Sequence, residues 1–212
     1  MARARKTARR TAGGNGSART ARRRGASGAR RGGRPSAPRT AAARSAPATP
    51  RTDAAQVLRR QHDETRRLFQ DLAEASGDAR RPTFLRLADA LAAHATVEER
   101  LLYPELARHE ETGDLSRDAV EEHLVAKRLL ADMLESRLSD ESFDAKRRVL
   151  EDEVIRHVEE EEAILLPRAL KLVGRERMAE LGAEIERTFR ELVQHEPRRN
   201  LPREAEGAPV LH

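Results

Sequence analysis

Two copies of the pattern His-x-x-x-Glu stand 63 residues apart, the first at His94 and Glu98 and the second at His157 and Glu161. Side chains four residues apart lie one above the other on the same face of an α-helix. Imidazole nitrogens suit Zn, Cu, Fe and Ni, and carboxylate oxygens shift the preference towards Fe or Mn. The repeated pattern therefore predicts a metal site to which two helices contribute paired ligands.

The surroundings of the two copies repeat as well. One further histidine precedes each copy, His62 by 32 residues in the first half and His123 by 34 residues in the second. A proline follows each paired histidine by ten residues, at Pro104 and Pro167. An isolated histidine on an apolar helix face is more often a core residue than a ligand. The spacing that the two halves share favours the metal site over that alternative.

Apolar residues at helical spacing predict four long helices that carry these histidines in inward-facing stripes. Besides the histidines and glutamates, the stripes contain Leu58, Phe69, Leu91, Val120, Leu130, Leu150, Val154 and Ile164. Short connections make neighbouring helices antiparallel. The sequence therefore predicts an all-α fold, an up-down-up-down four-helix bundle followed by a short C-terminal helix at about residues 175–193.

Capping and helix-breaking residues predict where these helices begin and end. The predicted boundaries are Thr52 or Asp53 for the start of the first helix, Pro82 for the second, Ser116 for the third after a loop at residues 110–113, and Gly174 for the end of the fourth. Pro104 lies inside the second helical pattern and has no amide hydrogen, so a kink or an early end is expected there.

Charge divides the chain into two unlike parts. Residues 1–52 contain 15 of the 41 Lys and Arg residues and none of the 36 Asp and Glu residues. The rest of the chain therefore carries 26 basic and 36 acidic residues, although the net charge of the whole is +5. An arm so poor in apolar residues is predicted to be disordered. Its charge would suit non-specific contact with nucleic acid, and the alternative is a solvated tail without a partner.

The composition also excludes several classes of function. The chain has no cysteine, which rules out disulfides, thiolate metal ligands and thiol catalysis. It contains no apolar run of transmembrane length and no apolar segment after the basic N-terminus that would resemble a signal peptide. We therefore expect no membrane partner and a cytoplasmic location, with association with the nucleoid as a variant of it.

An up-down bundle would bring the four imidazoles and two carboxylates to a similar depth. Six ligands exceed the three or four protein ligands that a single zinc ion takes. Two carboxylates in a twofold arrangement can bridge two metals, so a dinuclear site is favoured, with Glu98 and Glu161 as the bridges. Such a site would keep open positions at which O₂, water, peroxide or NO could bind.

The set His62, His94, Glu98, His123, His157 and Glu161, with EERLLYPEL and EEEAILLPRAL at the paired motifs, resembles the hemerythrin-like HHE cation-binding domain. The resemblance covers about residues 53–192, between the basic arm and a C-terminal tail at residues 193–212. It implies a four-helix bundle with a non-haem di-iron centre, in which the four histidines are iron ligands and the two glutamates are bridges. Two irons per chain are then expected, with another divalent metal as the alternative.

One position departs from the pattern of the O₂-carrying members of that family. They have a second histidine four residues after the histidine of the third helix, and Lys127 stands at that position here. They also place the second bridging carboxylate five residues after the last histidine, where this chain has Glu162 beside Glu161. The first copy of the motif favours Glu161. The departure favours sensing, autoxidation or peroxide chemistry over O₂ transport.

The sequence therefore predicts a protein that binds metal and O₂-related ligands, with a role in redox sensing or iron handling, rather than an enzyme. A DNA-associated protective protein that uses the arm and a di-iron oxidoreductase that consumes peroxide are the alternatives, and the oligomeric state stays open. Other side chains receive lesser roles. Tyr103 is expected to pack near the end of the bundle, and Glu99, Glu159, Glu160 and Glu162 are expected to be solvated.

Overall fold

The computed structural model describes residues 52–206, and every regular element within this range is helical. The α-helices are α1 Ala54–Glu74, α2 Arg80–Val97, α3 Tyr103–Leu106, α4 Glu110–Glu135, α5 Glu141–Glu160, α6 Leu166–Leu172, α7 Arg175–Gln194 and α8 Leu201–Glu206. Two π-helical turns, Glu98–Leu102 and Glu161–Leu165, join α2 to α3 and α5 to α6. The predicted basic arm lies outside the described residues, apart from Thr52.

The long helices α1, α2, α4 and α5 form the predicted up-down-up-down bundle, which confirms the all-α fold. Helix α1 begins where the sequence predicts, because Asp53 caps it. The Asp53 carboxylate accepts a hydrogen bond from the Gln56 backbone N–H at 2.9 Å, and the Gln56 side chain accepts one from the Asp53 N–H at 3.2 Å. This capping box satisfies two N–H groups that the first turn leaves without helical partners.

A π turn follows each copy of the repeated motif, immediately before each proline. Pro104 and Pro167 have no N–H to donate to the carbonyl four residues earlier, so the regular ladder cannot continue through them. Instead the Tyr103 N–H donates to the Glu98 carbonyl five residues back, and the Leu166 N–H donates to the Glu161 carbonyl. The interruption predicted at Pro104 is therefore a π turn, and the chain continues in helical conformation after it.

Two apolar clusters hold the bundle together, one on each side of the level at which the histidines lie. The first cluster contains Leu68, Phe69, Leu72, Phe84, Leu87, Leu130, Met133, Phe143, Leu150 and Val154. The second contains Val57, Leu58, Val97, Leu102, Leu106, Leu165, Leu166, Met178, Leu181 and Ile185. Helices α1, α2 and α4 contribute to both clusters, whereas α5 contributes to the first, and the π turn and α6 that follow it contribute to the second. The histidines are thus held between two rigid, closely packed regions.

Boundary and burial predictions are wrong at five places. Helix α2 begins at Arg80, two residues before Pro82, and the tail predicted at residues 193–212 contains α8, where Leu201 is fully buried. Helix α4 begins at Glu110, so the loop expected before Ser116 is helical, and the Ser116 hydroxyl donates to the Gly113 carbonyl at 3.0 Å. Acidic residues in the first turn favour the N-terminal end of a helix, which explains the earlier start. Val120 and Ile164, expected in the inward stripes, are 38% and 40% exposed.

The chain after the bundle folds back along it. Helix α7 lies against α1 and α2, and a Cβ atom on Gly182 would stand 2.5 Å from the Thr52 carbonyl oxygen, so glycine permits this close approach. Helix α8 lies against α4, where Leu201 is fully buried. Arg198 forms an ion pair with the buried Asp89 of α2. None of the described helices is long and apolar enough to cross a membrane.

Candidate metal centre

The six residues singled out by spacing lie together in the interior of the bundle, each with at most 6% of its surface exposed. They form two groups of potential ligands. The first group is His62, His94, Glu98 and Glu161, and the second is Glu98, His123 and His157. Within each group the ligand atoms lie within 4.8 Å of one another. Glu98 belongs to both groups, so its carboxylate stands between the two halves of the repeat.

Each of the four histidines directs Nε2 towards the centre and Nδ1 towards an oxygen acceptor. The Nδ1 atoms lie 2.8 Å from Glu162 for His62, 2.9 Å from Gln61 for His94, 3.0 Å from Glu99 for His123 and 2.8 Å from Glu122 for His157. Such contacts orient imidazole ligands in metal sites and raise their basicity. All four rings are therefore fixed in orientation before any metal binds.

The acceptors also determine where the imidazole protons lie. Hydrogen bonds from His157 and Arg156 lower the pKa of Glu122 to about 2. Burial would raise the pKa of Glu99, but hydrogen bonds from His123 and Lys127 lower it. Both carboxylates are thus ionised at neutral pH and can only accept, so Nδ1 carries the proton in each neutral ring. The Nε2 lone pairs of His123 and His157 then face each other at 3.2 Å.

This arrangement fits a cation. Two lone pairs in contact repel each other unless a proton or a metal ion lies between them. Four further buried atoms at the centre have no hydrogen-bond partner, namely Nε2 of His62, Nε2 of His94, Oε1 of Glu98 and Oε2 of Glu161. Buried polar atoms without partners cost roughly 1–3 kcal/mol each. A metal bound to these nitrogen and oxygen atoms would remove that cost.

The pKa values of the two central carboxyl groups are shifted in opposite directions. Burial, together with the neighbouring Glu161 charge, raises the pKa of Glu98 well above its usual value. Burial also opposes ionisation of Glu161, but its contact with His62 at 3.3 Å and the nearby His157 imidazole lower its pKa. Burial and the charge of His62 hold the pKa of His94 well below its usual range. Of the two central carboxyl groups, Glu98 is therefore the one that binds a proton more readily when no metal is present.

Tyr103 reaches the middle of the centre, although it was expected to pack near the end of the bundle. Its hydroxyl lies 3.3 Å from Oε2 of Glu98 and 3.2 Å from Oε1 of Glu161. It also lies 3.5 Å from Nε2 of His123. The π turn explains the position, because a turn with five-residue spacing brings residue 103 onto the face of Glu98. Helical periodicity alone would place it away from that face.

Two acidic residues expected to be solvated contact the centre instead. Glu162 accepts from His62 and Glu99 accepts from His123, while Glu159 and Glu160 are exposed as predicted. Lys127 is buried and donates to both Glu99 oxygens at 2.8 and 3.0 Å. It therefore supports the acceptor of His123 and contributes no ligand atom to either group.

The four acceptors occupy recognisable positions in the sequence. Each is the immediate neighbour in sequence of a residue in the centre, and each contacts a histidine on another helix: Gln61 precedes His62, Glu99 follows Glu98, Glu122 precedes His123 and Glu162 follows Glu161. A polar residue next to four of the six predicted ligands was thus visible in the sequence. The sequence does not show which of several neighbouring glutamates turns inwards.

A small apolar cavity of about 30 Å³ adjoins all four imidazoles. Its walls are the rings themselves and the side chains Thr65, Leu91, Ala95, Ala126, Lys127, Leu130, Val154 and Val158. A space of this size holds a water-sized or diatomic molecule. The centre therefore has room for a small ligand on its apolar side.

Comparison with known proteins agrees with the fold and with a cation-binding family. The family model described as the hemerythrin HHE cation binding domain matches residues 53–169. A crystal structure of a hemerythrin HHE cation binding domain-containing protein from Mycobacterium kansasii has the same fold, with a TM-score of 0.63. The alignment has 22% identity and covers 72% of this chain and 98% of that one. A search of curated proteins gives no match.

Proposed function

The chain belongs to the hemerythrin HHE cation-binding domain family, and we propose that it holds two iron ions and binds O₂ or a related small ligand at them. In this proposal His62 and His94 serve one iron, and His123 and His157 serve the other. Glu98 and Glu161 would supply the carboxylate oxygens, Glu98 to both irons because it belongs to both ligand groups. The observation that carries it is the set of inward Nε2 and carboxylate atoms, buried and without hydrogen-bond partners. Nitrogen and oxygen ligands of this kind suit iron, and manganese is the nearest alternative.

The chain's own side chains prepare the centre for this role. The outer acceptors hold the imidazoles in one orientation and keep their protons on Nδ1. The two apolar clusters exclude bulk water, and the cavity beside the rings admits a molecule of diatomic size. A pair of irons, when bound, supplies electrons and open coordination positions to such a ligand.

Metal content tests the proposal directly. Full-length protein loaded with Fe²⁺ and freed of excess metal should contain close to two irons per chain and develop charge-transfer absorption when oxidised. His94→Ala and His157→Ala should each reduce the iron content towards one. The matched control is His195→Ala, because this histidine donates to a helix carbonyl far from the centre in sequence. The proposal would be refuted if the wild-type protein retained no metal and both central substitutions left the free energy of unfolding unchanged.

Consumption of peroxide is a second candidate function, and the position of Tyr103 favours it. Burial and the charges of Glu161 and Glu98 raise the pKa of Tyr103 well above its usual value, so the phenol stays protonated. Its O–H is then a proton donor within reach of the centre. Tyr103→Phe should leave the iron content unchanged but slow peroxide decay by the iron-loaded protein. Equal decay by both proteins would remove the reason for this candidate.

Association with nucleic acid through residues 1–52 stays a prediction, because the arm lies outside the described residues. Its 15 basic residues and absence of acidic ones remain the only support. Binding of full-length protein to duplex DNA should weaken steeply with salt, and deletion of residues 1–51 should abolish it. Equally weak binding by both proteins would exclude the arm as a DNA contact.

A further inference from the structure

A second cavity, of about 60 Å³, reaches the metal centre from the surface between α4 and α5. Its inner wall includes His157 and Glu161, both at the centre. Its outer part is lined by Asp118, Glu122 and Glu160. Asp118 and Glu160 are exposed, so this opening connects the centre with solvent.

Helical spacing explains why the opening is both acidic and passable. Asp118, Ala119 and Glu122 follow one another at offsets that share a face of α4. Glu160 and Glu161 lie on the facing stripe of the last turn of α5 and the π turn. Ala119, between the carboxylates, fills little of the space between the helices. Three carboxylates line the outer part, and within residues 52–206 only the Arg156 guanidinium pairs with them, at 2.7 Å from Glu122 and 3.4 Å from Glu160, so the wall keeps an excess of negative charge.

The corresponding side of the first half is closed. When His62 is aligned with His123 and His94 with His157, the equivalents of Asp118, Ala119 and Glu160 are Val57, Leu58 and Val97. All three are at most 2% exposed, and they belong to the apolar cluster that α7 completes. The two halves share their central ligands but not this acidic wall. The opening is therefore a feature of one half and does not follow from the repeated motif.

The inner end of the opening is formed by two residues of the centre, His157 and Glu161. Glu161 is 3% exposed, and its Oε2 lies 3.3 Å from Nε2 of His62 without forming a hydrogen bond. Acidic side chains on a surface do not by themselves make a site. Here they lead to a buried carboxylate oxygen and to the imidazole of His157. The combination of a negative wall and an unsatisfied inner oxygen indicates a path for a positive ion.

We propose that this opening is the uptake route by which a divalent cation reaches the centre, with Asp118 and Glu160 as its outer carboxylates. The inference rests on the proposed metal centre and adds to it a route and a charge preference. A negative channel with low-dielectric walls concentrates cations and repels anions. Small uncharged ligands need no such wall, and the apolar cavity against the four imidazoles suits them instead.

Uptake of Co²⁺ by the metal-free, full-length protein tests the route, because bound cobalt absorbs visible light and needs no O₂. Asp118→Asn combined with Glu160→Gln should slow uptake roughly five- to tenfold at low salt, since two steering charges are lost. The difference should vanish at high salt, where exposed charges are screened. The final cobalt content and spectrum should match the wild type. The matched control is Asp71→Asn with Glu74→Gln, two exposed charges on α1.

A second variant narrows the opening without changing its charge. Ala119→Leu introduces the residue that the first half carries at Leu58, and it should slow uptake at every salt concentration. Circular dichroism and thermal unfolding establish that each variant is folded. If the wild type takes up cobalt while both the double variant and Ala119→Leu load at its rate, the route is refuted and the metal centre stands. If the wild type takes up none, the metal centre itself is refuted, and the route with it.

Discussion

The two halves of the bundle are alike at the centre and unlike around it. In each half a lone histidine donates to a glutamate that a basic residue four positions further along also contacts. His62 and Arg66 share Glu162, and His123 and Lys127 share Glu99. The same relation thus holds on opposite sides of the centre. Contacts that orient the ligands repeat with the motif, which is what a symmetric pair of metal positions requires.

The differences concern access and proton chemistry. Tyr103 follows the first π turn, and the equivalent position after the second is Leu166. The amide of Gln61 orients His94, whereas the carboxylate of Glu122 orients His157. The first half is covered by α7, and the second opens to solvent. One half therefore supplies a hydroxyl and the other a passage, so the repeat has kept its ligands while its surroundings have diverged.

Loss of the carboxylate that both ligand groups share should lower the iron content more than any other single substitution. Glu98 belongs to both ligand groups, whereas Glu161 belongs to one. Glu98→Gln should therefore reduce the iron content below one per chain, and Glu161→Gln should retain about one. Metal quantification after removal of excess Fe²⁺ measures both. Equal losses in the two variants would show that the two carboxylates are equivalent and that Glu98 is not the link between the halves.

The closed side of the first half depends on the contact between α1 and α7. Gly182→Ala would place a Cβ 2.5 Å from the Thr52 carbonyl oxygen and 2.7 Å from the Asp53 carbonyl carbon, and backbone atoms cannot rotate away. We expect the free energy of unfolding to fall by about 2–3 kcal/mol, as in other overpacked sites. Urea unfolding of the metal-free protein measures it.

Gly113→Ala is the matched control for that substitution. A Cβ on Gly113 would meet its nearest atom at 3.6 Å, and the residue lies inside α4. Alanine there should change stability by about 1 kcal/mol or less, in the favourable direction, because it is the better helix former. If both substitutions gave the same result, close contact at Gly182 would not be what holds α7 against α1.

Lys127 and Arg66, the basic residues that contact the acceptor glutamates, should differ in their contribution to stability. The Lys127 side chain is 10% exposed and contacts Glu204 of α8 at 3.2 Å besides Glu99, whereas the Arg66 side chain is 32% exposed. Lys127→Met would leave the partly buried Glu99 without its cation and should cost about 2 kcal/mol. Arg66→Met should cost less than about 1 kcal/mol, as exposed pairs do. Equal costs in urea unfolding would contradict the difference in burial.

The fold and the six central residues could be predicted because they depend on periodicity and repetition. Stripes of Leu and His at helical spacing predict inward faces, and the second copy at His157 and Glu161 favours metal ligands over ordinary core histidines. Asp53 and Gly174 marked helix ends through capping chemistry that acts within a few residues. Such local signals survive in a single sequence.

The surroundings of the centre could not be predicted in the same way. A π turn changes the face on which every later residue lies, so Tyr103 appeared to belong to the bundle end. Glu99 and Glu162 stand among several glutamates, and only the packing of other helices determines which one meets a histidine. Ser116 resembled a cap, but the acidic turn before it extended α4. The orientation of Glu99 and Glu162 depends on tertiary contacts, whereas the π turn before Pro104 and the early start of α4 have local causes whose outcome periodicity does not show.

In the proposed centre the two halves hold one metal ion each and share Glu98. An anomalous difference map from crystals of the iron-loaded protein would locate both ions. Two peaks are expected roughly 3.5–4 Å apart, as in other two-metal sites. One should lie against His62 and His94 and the other against His123 and His157, with Glu98 in contact with both. A single peak at the centre, or peaks away from these histidines, would contradict it.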